Sequence, residues 1–312
     1  MPTARRTGIP RTPNARKLGP HKYHVVLGWS DWHLDESVNL PAADGSGLVN
    51  RFGHAIAEAR VSKLIRSSAQ VFGMYVQPGE VRPALTIWLG GDFITGAIHE
   101  ESRTVTWCSP TQAVRFAREQ ISRALSEVVA ACRPSRLDIV CSVGTHERTT
   151  PKSQVTVPAG FSLATGLYEH LAERHDGAWR TAGIPGVWVP PPDEGPISYV
   201  PLSFGKLGRF LHGDARGFKY QGGVGGLSIP LNRFLGRANT EPGAAGAITM
   251  LGHYHTFGWH ENARAITNGS LIGYNGYARS MGCAFEYPCQ VAAVLSRHGN
   301  MGPIAVHKLM CG

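Results

Sequence analysis

What this chain lacks narrows it first. No apolar run in its 312 residues approaches the roughly 18 that a membrane-spanning helix needs, and the first residues carry arginines and prolines where a secretory signal would place an apolar core. A soluble, cytoplasmic protein is therefore expected. Paired cysteines are missing too: Cys108, Cys132, Cys141, Cys283, Cys289 and Cys311 form no CxxC pair. That spacing excludes a zinc knuckle or a dithiol redox motif, and a chain of this size needs no disulfide staples, so buried free thiols are expected. Acidic residues are absent from residues 1–22, which hold Arg5, Arg6, Arg11, Arg16, Lys17 and Lys22. These six supply most of the net charge of +9, so the basic balance belongs to one segment and the body is only mildly basic. Its Pro, Gly, Thr and Arg residues cannot bury apolar surface, and 1–22 reads as a flexible basic tail that either attracts a phosphate backbone loosely or simply solubilises the chain. Beyond the tail there is neither an internal repeat nor a shift in composition, which leaves 23–312 as one domain.

What is present is a repeated unit of apolar run and polar turn. Tyr23–Trp29 ends in Ser30, Asp31, Trp32 and His33; Ala84–Leu89 ends in Gly90, Gly91 and Asp92; 137–143 ends in Gly144, Thr145, His146 and Glu147. Each reads as a buried strand that delivers polar residues at its C-terminal end. Between the first two, a Pro/Gly/Asp loop at 41–47 precedes Asn50, which is placed to cap a helix carrying Phe52, Ile56, Leu64, Ile65 and Phe72 on one face. Ser109, Pro110, Thr111 and Gln112 form a capping box with proline at the first helical position, and Val114, Ala117, Ile121, Leu125 and Val128 continue the apolar face. Three such units argue for βαβ construction. A further helix is expected over about 160–175, and a surface loop over 183–196, which is dense in Pro and Gly. In the later half, 209–211 leads into His212, Gly213 and Asp214, and 247–251 leads into Gly252, His253, Tyr254 and His255; short strands are expected at 264–267, 290–295 and 304–309.

Taken singly, each polar turn is a common dipeptide or tripeptide. Their order, each directly after a strand, is what carries information, because loops at one edge of a sheet can converge. Hydrolysing a phosphate ester at neutral pH requires offsetting the charge on the phosphoryl oxygens and generating hydroxide from water, and two divalent cations about 3.5 to 4 Å apart do both. Imidazole and carboxylate suit zinc, manganese and iron, so an Asp/His set is a chemically apt lining.

The ordered blocks Asp31-Trp32-His33, Gly91-Asp92, Gly144-Thr145-His146-Glu147, His212-Gly213-Asp214 and Gly252-His253-Tyr254-His255 resemble the signature of the calcineurin-like metallophosphoesterase superfamily, over roughly residues 24–270. The resemblance implies an α/β fold, a calcineurin-like sandwich of two mixed β-sheets flanked by helices, with the metal site at the C-terminal ends of strands. It further implies that Asp31, His33 and His255 hold one divalent metal, that Asp92 bridges, and that His212 and His253 hold a second. Manganese is the expected ion, with zinc, iron and magnesium as alternatives. His146 would stay off the metals and act on the leaving-group oxygen. The family usually has Asn where this chain has Thr145, and a shorter neutral hydroxyl implies a weaker second site.

Two segments, 220–226 and 268–275, are similar to a bacteriophage-encoded branch related to SbcD-type DNA-repair nucleases, which implies a phosphodiester substrate in nucleic acid. The glycine-rich 220–226 lacks the GK[ST] end of a P-loop and reads either as a mobile loop whose amides approach a phosphate or as plain surface. Arg148 and Lys152 are candidates to meet a substrate phosphate, or are solvated charges. Trp29, Trp32 and Trp88 are expected to pack beside the site more than to stack on bases, and Asp214 to be a turn or outer carboxylate. A phosphomonoesterase or small-nucleotide phosphodiesterase, and a scaffold weakened by Thr145, are the alternative functions. The oligomeric state stays open, a homodimer included.

Overall fold

The computed structural model describes residues 21–98, 100–154, 156–214, 227–299 and 302–312. In chain order these form β1 (Tyr23–Trp29), β2 (Val38–Pro41), β3 (Leu48–Phe52), α1 (His54–Met74), β4 (Ala84–Leu89), α2 (Glu100–Val105), α3 (Pro110–Cys132), β5 (Leu137–Cys141), α4 (Leu163–Thr181), β6 (Gly186–Val189), β7 (Ser198–Pro201), β8 (Leu207–Leu211), α5 (Ser228–Ala238), β9 (Ile248–Leu251), β10 (Gly258–His260), β11 (Ala265–Thr267), α6 (Gly276–Ser280), β12 (Cys289–Ser296) and β13 (Ala305–Met310). One sheet has the order β13-β12-β1-β4-β5-β6, with β1, β4, β5 and β6 parallel and β12 and β13 antiparallel. The other has the order β10-β11-β9-β8-β7 and is also mixed, β8, β9 and β11 being parallel.

The period of two along a strand explains the layering. Val25, Leu27 and Trp29 of β1, with Leu85, Ile87 and Leu89 of β4, face the helical side and pack against Leu64 and Phe72 of α1, Ile121 and Leu125 of α3, and Leu171 of α4. The opposite face, Val26, Trp88 and Val140, meets Phe210, Ile248, Met250 and Ile266 of the second sheet. Strands buried on both faces must be apolar nearly throughout, which is why β1 and β4 read as continuous runs. The outer side of the second sheet is covered by Leu231 and Leu235 of α5. The order is thus helices, six-stranded sheet, five-stranded sheet, helix: an α/β architecture with two mixed sheets flanked by helices.

The capping box is present as read: Ser109 Oγ accepts from Gln112 N, the Gln112 side chain accepts from Ser109 N, and Pro110 opens α3. Such a cap is worth about 1 kcal/mol. Asn50 is different. It lies in β3, its carboxamide donates to the carbonyls of Ile272 and Tyr274 and accepts from Arg60, and α1 starts after Gly53 without a side-chain cap. Tertiary partners took the group that a helix start would have used, and 41–47 is mainly the turn of the β2–β3 hairpin. The expected loop at 183–196 contains β6, which pairs in parallel with β5 at the sheet edge. The helix expected over 160–175 begins and ends later, at Leu163 and Thr181.

At the start of the body, His21 is buried against Ser203 and Lys22 pairs with Glu80, so these two residues of the expected tail are tied down; residues 1–20 lie outside the described residues. All six cysteines are free thiols, four of them buried, with Cys283 exposed. Among the described residues no helix is long and apolar enough to cross a membrane.

Candidate metal centre

The C-terminal ends of β1, β4, β5, β8 and β9 come to one place, and the turns leaving them are sewn together by backbone hydrogen bonds. Asp31 N donates to Gly91 O at 2.9 Å, His33 N to Asp92 O at 3.1 Å, and Gly252 N to His212 O at 2.8 Å. Two glycines permit the approach. A Cβ on Gly144 would lie 2.2 Å from Asp92 Oδ1, and one on Gly252 would lie 2.3 Å from Asp31 Oδ2. Asp31, His33, Asp92, His253 and His255 all adopt left-handed backbone, with φ between 47° and 68°, a region costly for residues with a side chain and concentrated at functional sites.

Three groups of side chains bring their ligand atoms within 4.8 Å of one another: Asp31, His33 and His255; His33, Asp92 and His146; and Asp92, His212 and His253. The sets share members, Asp92 joining the last two and His33 the first two. Two of them match the ligand sets expected from the sequence. The remaining one puts His146 within ligand distance of His33 and Asp92, where the sequence reading keeps it off the metals.

The histidines are oriented by what their Nδ1 atoms touch. His212 Nδ1 lies 2.8 Å from Gly90 O and His146 Nδ1 lies 2.9 Å from Thr95 O. A carbonyl only accepts, so both Nδ1 atoms carry the proton and both rings present Nε2 to the site. His33 Nδ1 meets Thr95 Oγ1, whose hydroxyl donates to Glu36 Oε2, so the same tautomer follows there. Its Nε2 then stands 3.3 Å from His255 Nε2. His212 Nε2 stands 2.8 Å from Asp92 Oδ2, a buried nitrogen facing a carboxylate oxygen without hydrogen-bond geometry. Such an arrangement needs either a proton or a cation between the two atoms, and outer partners on the far nitrogen are the usual support of a ligating imidazole. The donor set therefore fits divalent metal.

The electrostatics divide the imidazoles into two kinds. Burial works to raise the Asp31 and Asp92 carboxyls, but the imidazoles beside them, His255 at Asp31 and His212 at Asp92, outweigh it and hold both below the ordinary carboxylate range. Burial lowers His33 well below its ordinary value and, with His212 adding, takes His253 down to about 4, so both are neutral and able to ligate. Burial pulls His212 and His255 down as well, but Asp92 and Asp31 respectively more than reverse it.

No family model matches the sequence, and no curated protein does.

The remaining candidates divide. Thr145 donates its hydroxyl to Asp92 Oδ2 at 3.1 Å, and His146 N donates to Asp92 Oδ1 at 2.7 Å, so this turn cradles the shared carboxylate. Arg148 turns back on its own loop and donates to the carbonyls of Thr145, Thr150 and Pro151, while Lys152 is exposed. Arg148 thus braces the turn that carries Thr145 and His146. Asp214 lies at the edge of a cleft shared with Gly144, Arg148, Gln154 and Phe161. Trp29, Trp32 and Trp88 are fully buried core side chains. The glycine-rich 220–226 lies outside the described residues.

Sequence reasoning missed the orienting residues. Thr95, Glu36 and the Gly90 carbonyl fix three imidazoles, and Glu147 accepts from Phe93 N at 2.7 Å with burial and Asp92 pushing its carboxyl well above the ordinary range. Glu147 was visible as the last residue of its turn; the others carry no signal apart from lying near the motifs.

Proposed function

We propose that this chain is a metal-dependent phosphoesterase of the calcineurin-like type that hydrolyses phosphodiester bonds, with nucleic acid as substrate. The observation that carries it is the continuity of the ligand groups: the Asp31, His33 and His255 group shares His33 with the His33, Asp92 and His146 group, which shares Asp92 with His212 and His253. Adjoining clusters of imidazole and carboxylate are a lining suited to a pair of divalent cations.

Asp31, His33 and His255 would hold one cation, His212 and His253 another, with Asp92 common to both; manganese suits this oxygen and imidazole set, with zinc, iron and magnesium as alternatives. Bound there, the two ions would neutralise phosphoryl charge and make water acidic enough to attack. The chain's own part is positioning. Thr145 and the His146 amide fix both oxygens of Asp92. His146 has its Nδ1–H held by the Thr95 carbonyl, and as an imidazolium it would pass its second, Nε2 proton to the departing ester oxygen as the P–O bond breaks.

The test is hydrolysis of bis-p-nitrophenyl phosphate with added manganese, with Asp92→Asn as control and p-nitrophenyl phosphate as the monoester comparison. Metal-dependent diester cleavage that vanishes in Asp92→Asn is expected. Preference for the monoester would replace the diester reading with a phosphomonoesterase. Folded protein inert at every manganese concentration would sink the catalytic reading, and Thr145→Asn would then show whether one lost ligand is the cause.

A further inference from the structure

We propose that the aromatic segment 274–287 is a platform on which the unpaired bases of single-stranded nucleic acid stack beside the metal centre. This rests on the phosphodiesterase reading above and names its substrate class.

The observation is an accumulation of exposed rings that packing does not explain. Tyr277 is 67% exposed, Met281 63%, Tyr287 61% and Phe285 45%, and the first three exceed every other large apolar side chain among the described residues. Three of the segment's four rings form a series: Tyr274 meets Phe285 edge to face at 5.4 Å, and Phe285 meets Tyr287 at 4.9 Å, while Tyr277 lies on α6 between them in sequence. Clustered exposed apolar surface of this kind marks an interaction site.

Its frame is rigid and tied to the centre. Asn50 holds Tyr274 O and Arg60 holds Ile272 O. Asn275 donates to Glu36 Oε1, and the other oxygen of Glu36 accepts from Thr95, which orients His33. On the far side, Glu286 Oε2 accepts from Phe257 N, two residues past His255. The segment is thus hydrogen-bonded on both flanks to residues that orient or follow candidate ligands.

Charge selects the occupant. The one acid in 274–287, Glu286, is closed by Lys308 and by Phe257 N. Arg279 is exposed and donates to Pro41 O, and among the described residues no carboxylate pairs with it. Aromatic faces beside an uncompensated guanidinium fit a strand whose bases are free and whose backbone is anionic. A duplex hides its base faces within its own stack and cannot use such a platform.

The test measures binding of a short labelled oligothymidylate with cleavage-resistant phosphorothioate linkages, and of its matched duplex, to the full chain by fluorescence anisotropy. Three proteins are compared: wild type, the double Tyr277→Phe, Tyr287→Phe variant, and the double Tyr277→Leu, Tyr287→Leu variant. Because the substituted side chains are exposed, the thermal midpoint should be unchanged. The single strand is expected to bind more tightly than the duplex; the Phe variant should match wild type, and the Leu variant should bind about 100-fold more weakly, at about tenfold per stacking ring. Hydrolysis of bis-p-nitrophenyl phosphate, too small to span the platform, should be equal in all three. Unchanged strand affinity in the Leu variant, or tighter binding of duplex, overturns the proposal. So does self-association in sedimentation that the Leu variant loses while its strand affinity holds, which would assign the patch to contact between copies. Strand binding lost in the Leu variant while wild type cleaves no diester would uphold the platform and defeat the catalytic reading instead.

Discussion

The six-stranded sheet carries both carboxylates of the candidate centre, Asp31 and Asp92, on the turns after β1 and β4, whereas the five-stranded sheet brings imidazoles alone, His212, His253 and His255. The group of His33, Asp92 and His146 comes from the first sheet, but the other two each need both sheets. Cations held there would cross-link the sandwich, because acid stands on one side and base on the other. At the opposite end the sheets are joined without carboxylates. His24 at the start of β1 reaches Ser203 Oγ, ahead of β8, and Thr86 Oγ1 of β4, each at 2.8 Å. One end of the interface is charged and suited to metal; the other is a neutral hydrogen-bonded clasp.

The largest effect should come from the apolar layer between those ends. Phe210→Ala, which removes a ring facing Trp88 between the sheets, and Phe72→Ala, on the helical side of the six-stranded sheet, should each cost about 3–5 kcal/mol in urea unfolding. Only Phe210→Ala should also weaken manganese binding by calorimetry; equal weakening in both would break the idea that sheet packing assembles the centre. Next, Asp92→Asn should lower manganese-dependent diester hydrolysis by more than about 100-fold, because removing a ligand costs more than removing its outer partner. His255→Asn, a member of one group only, should lose about tenfold. Similar losses in steady-state assays would deny Asp92 its shared place. Smaller still, Thr145→Asn should tighten the weaker of two manganese binding steps by about tenfold, and a single unchanged step in the titration would count against a second cation.

A further effect, at the neutral clasp, is read against pH. Burial, with His21 and Arg136 adding, lowers His24 from 6.5 to about 3. Between those values the unfolded chain binds the proton and the folded chain does not. Stability therefore rises with pH through this window and is lost on acidification, by up to about 1.4 kcal/mol per pH unit, and His24 adds no further change above about pH 6.5. His24→Gln should flatten the slope of urea midpoint against pH on the acid side of 6.5. A slope unchanged from wild type would show that the clasp does not report the interface.

The parallel strands were legible because burial on both faces forces continuous apolar runs, and β1 and β4 stand where the runs in the sequence stand. The α3 start was legible because its capping box is local chemistry. Asn50 misled for the converse reason: its partners, Arg60 and the carbonyls of Ile272 and Tyr274, are set by tertiary contact. The edge strand β6 was hidden by flanking prolines and glycines, and α5 by the absence of a capping residue before it. Convergence of the Asp and His turns could be anticipated from their order, since parallel strands must end on one edge. The tautomers could not, because Gly90 O and Thr95 O are backbone atoms of no distinctive sequence.

The left-handed backbone at Asp31, His33, Asp92, His253 and His255 has a consequence for how this protein could change. Among the described residues, five of the eight such non-glycine positions are these, and each sits in a conformation that glycine adopts freely at a saving of order 1 kcal/mol. Drift toward thermostability would therefore pull at the very positions that define the centre, and a lineage under heat selection alone would be drawn to a sturdier, idle descendant. Replacing any one of the five by glycine would relieve backbone strain and remove a candidate ligand in the same step.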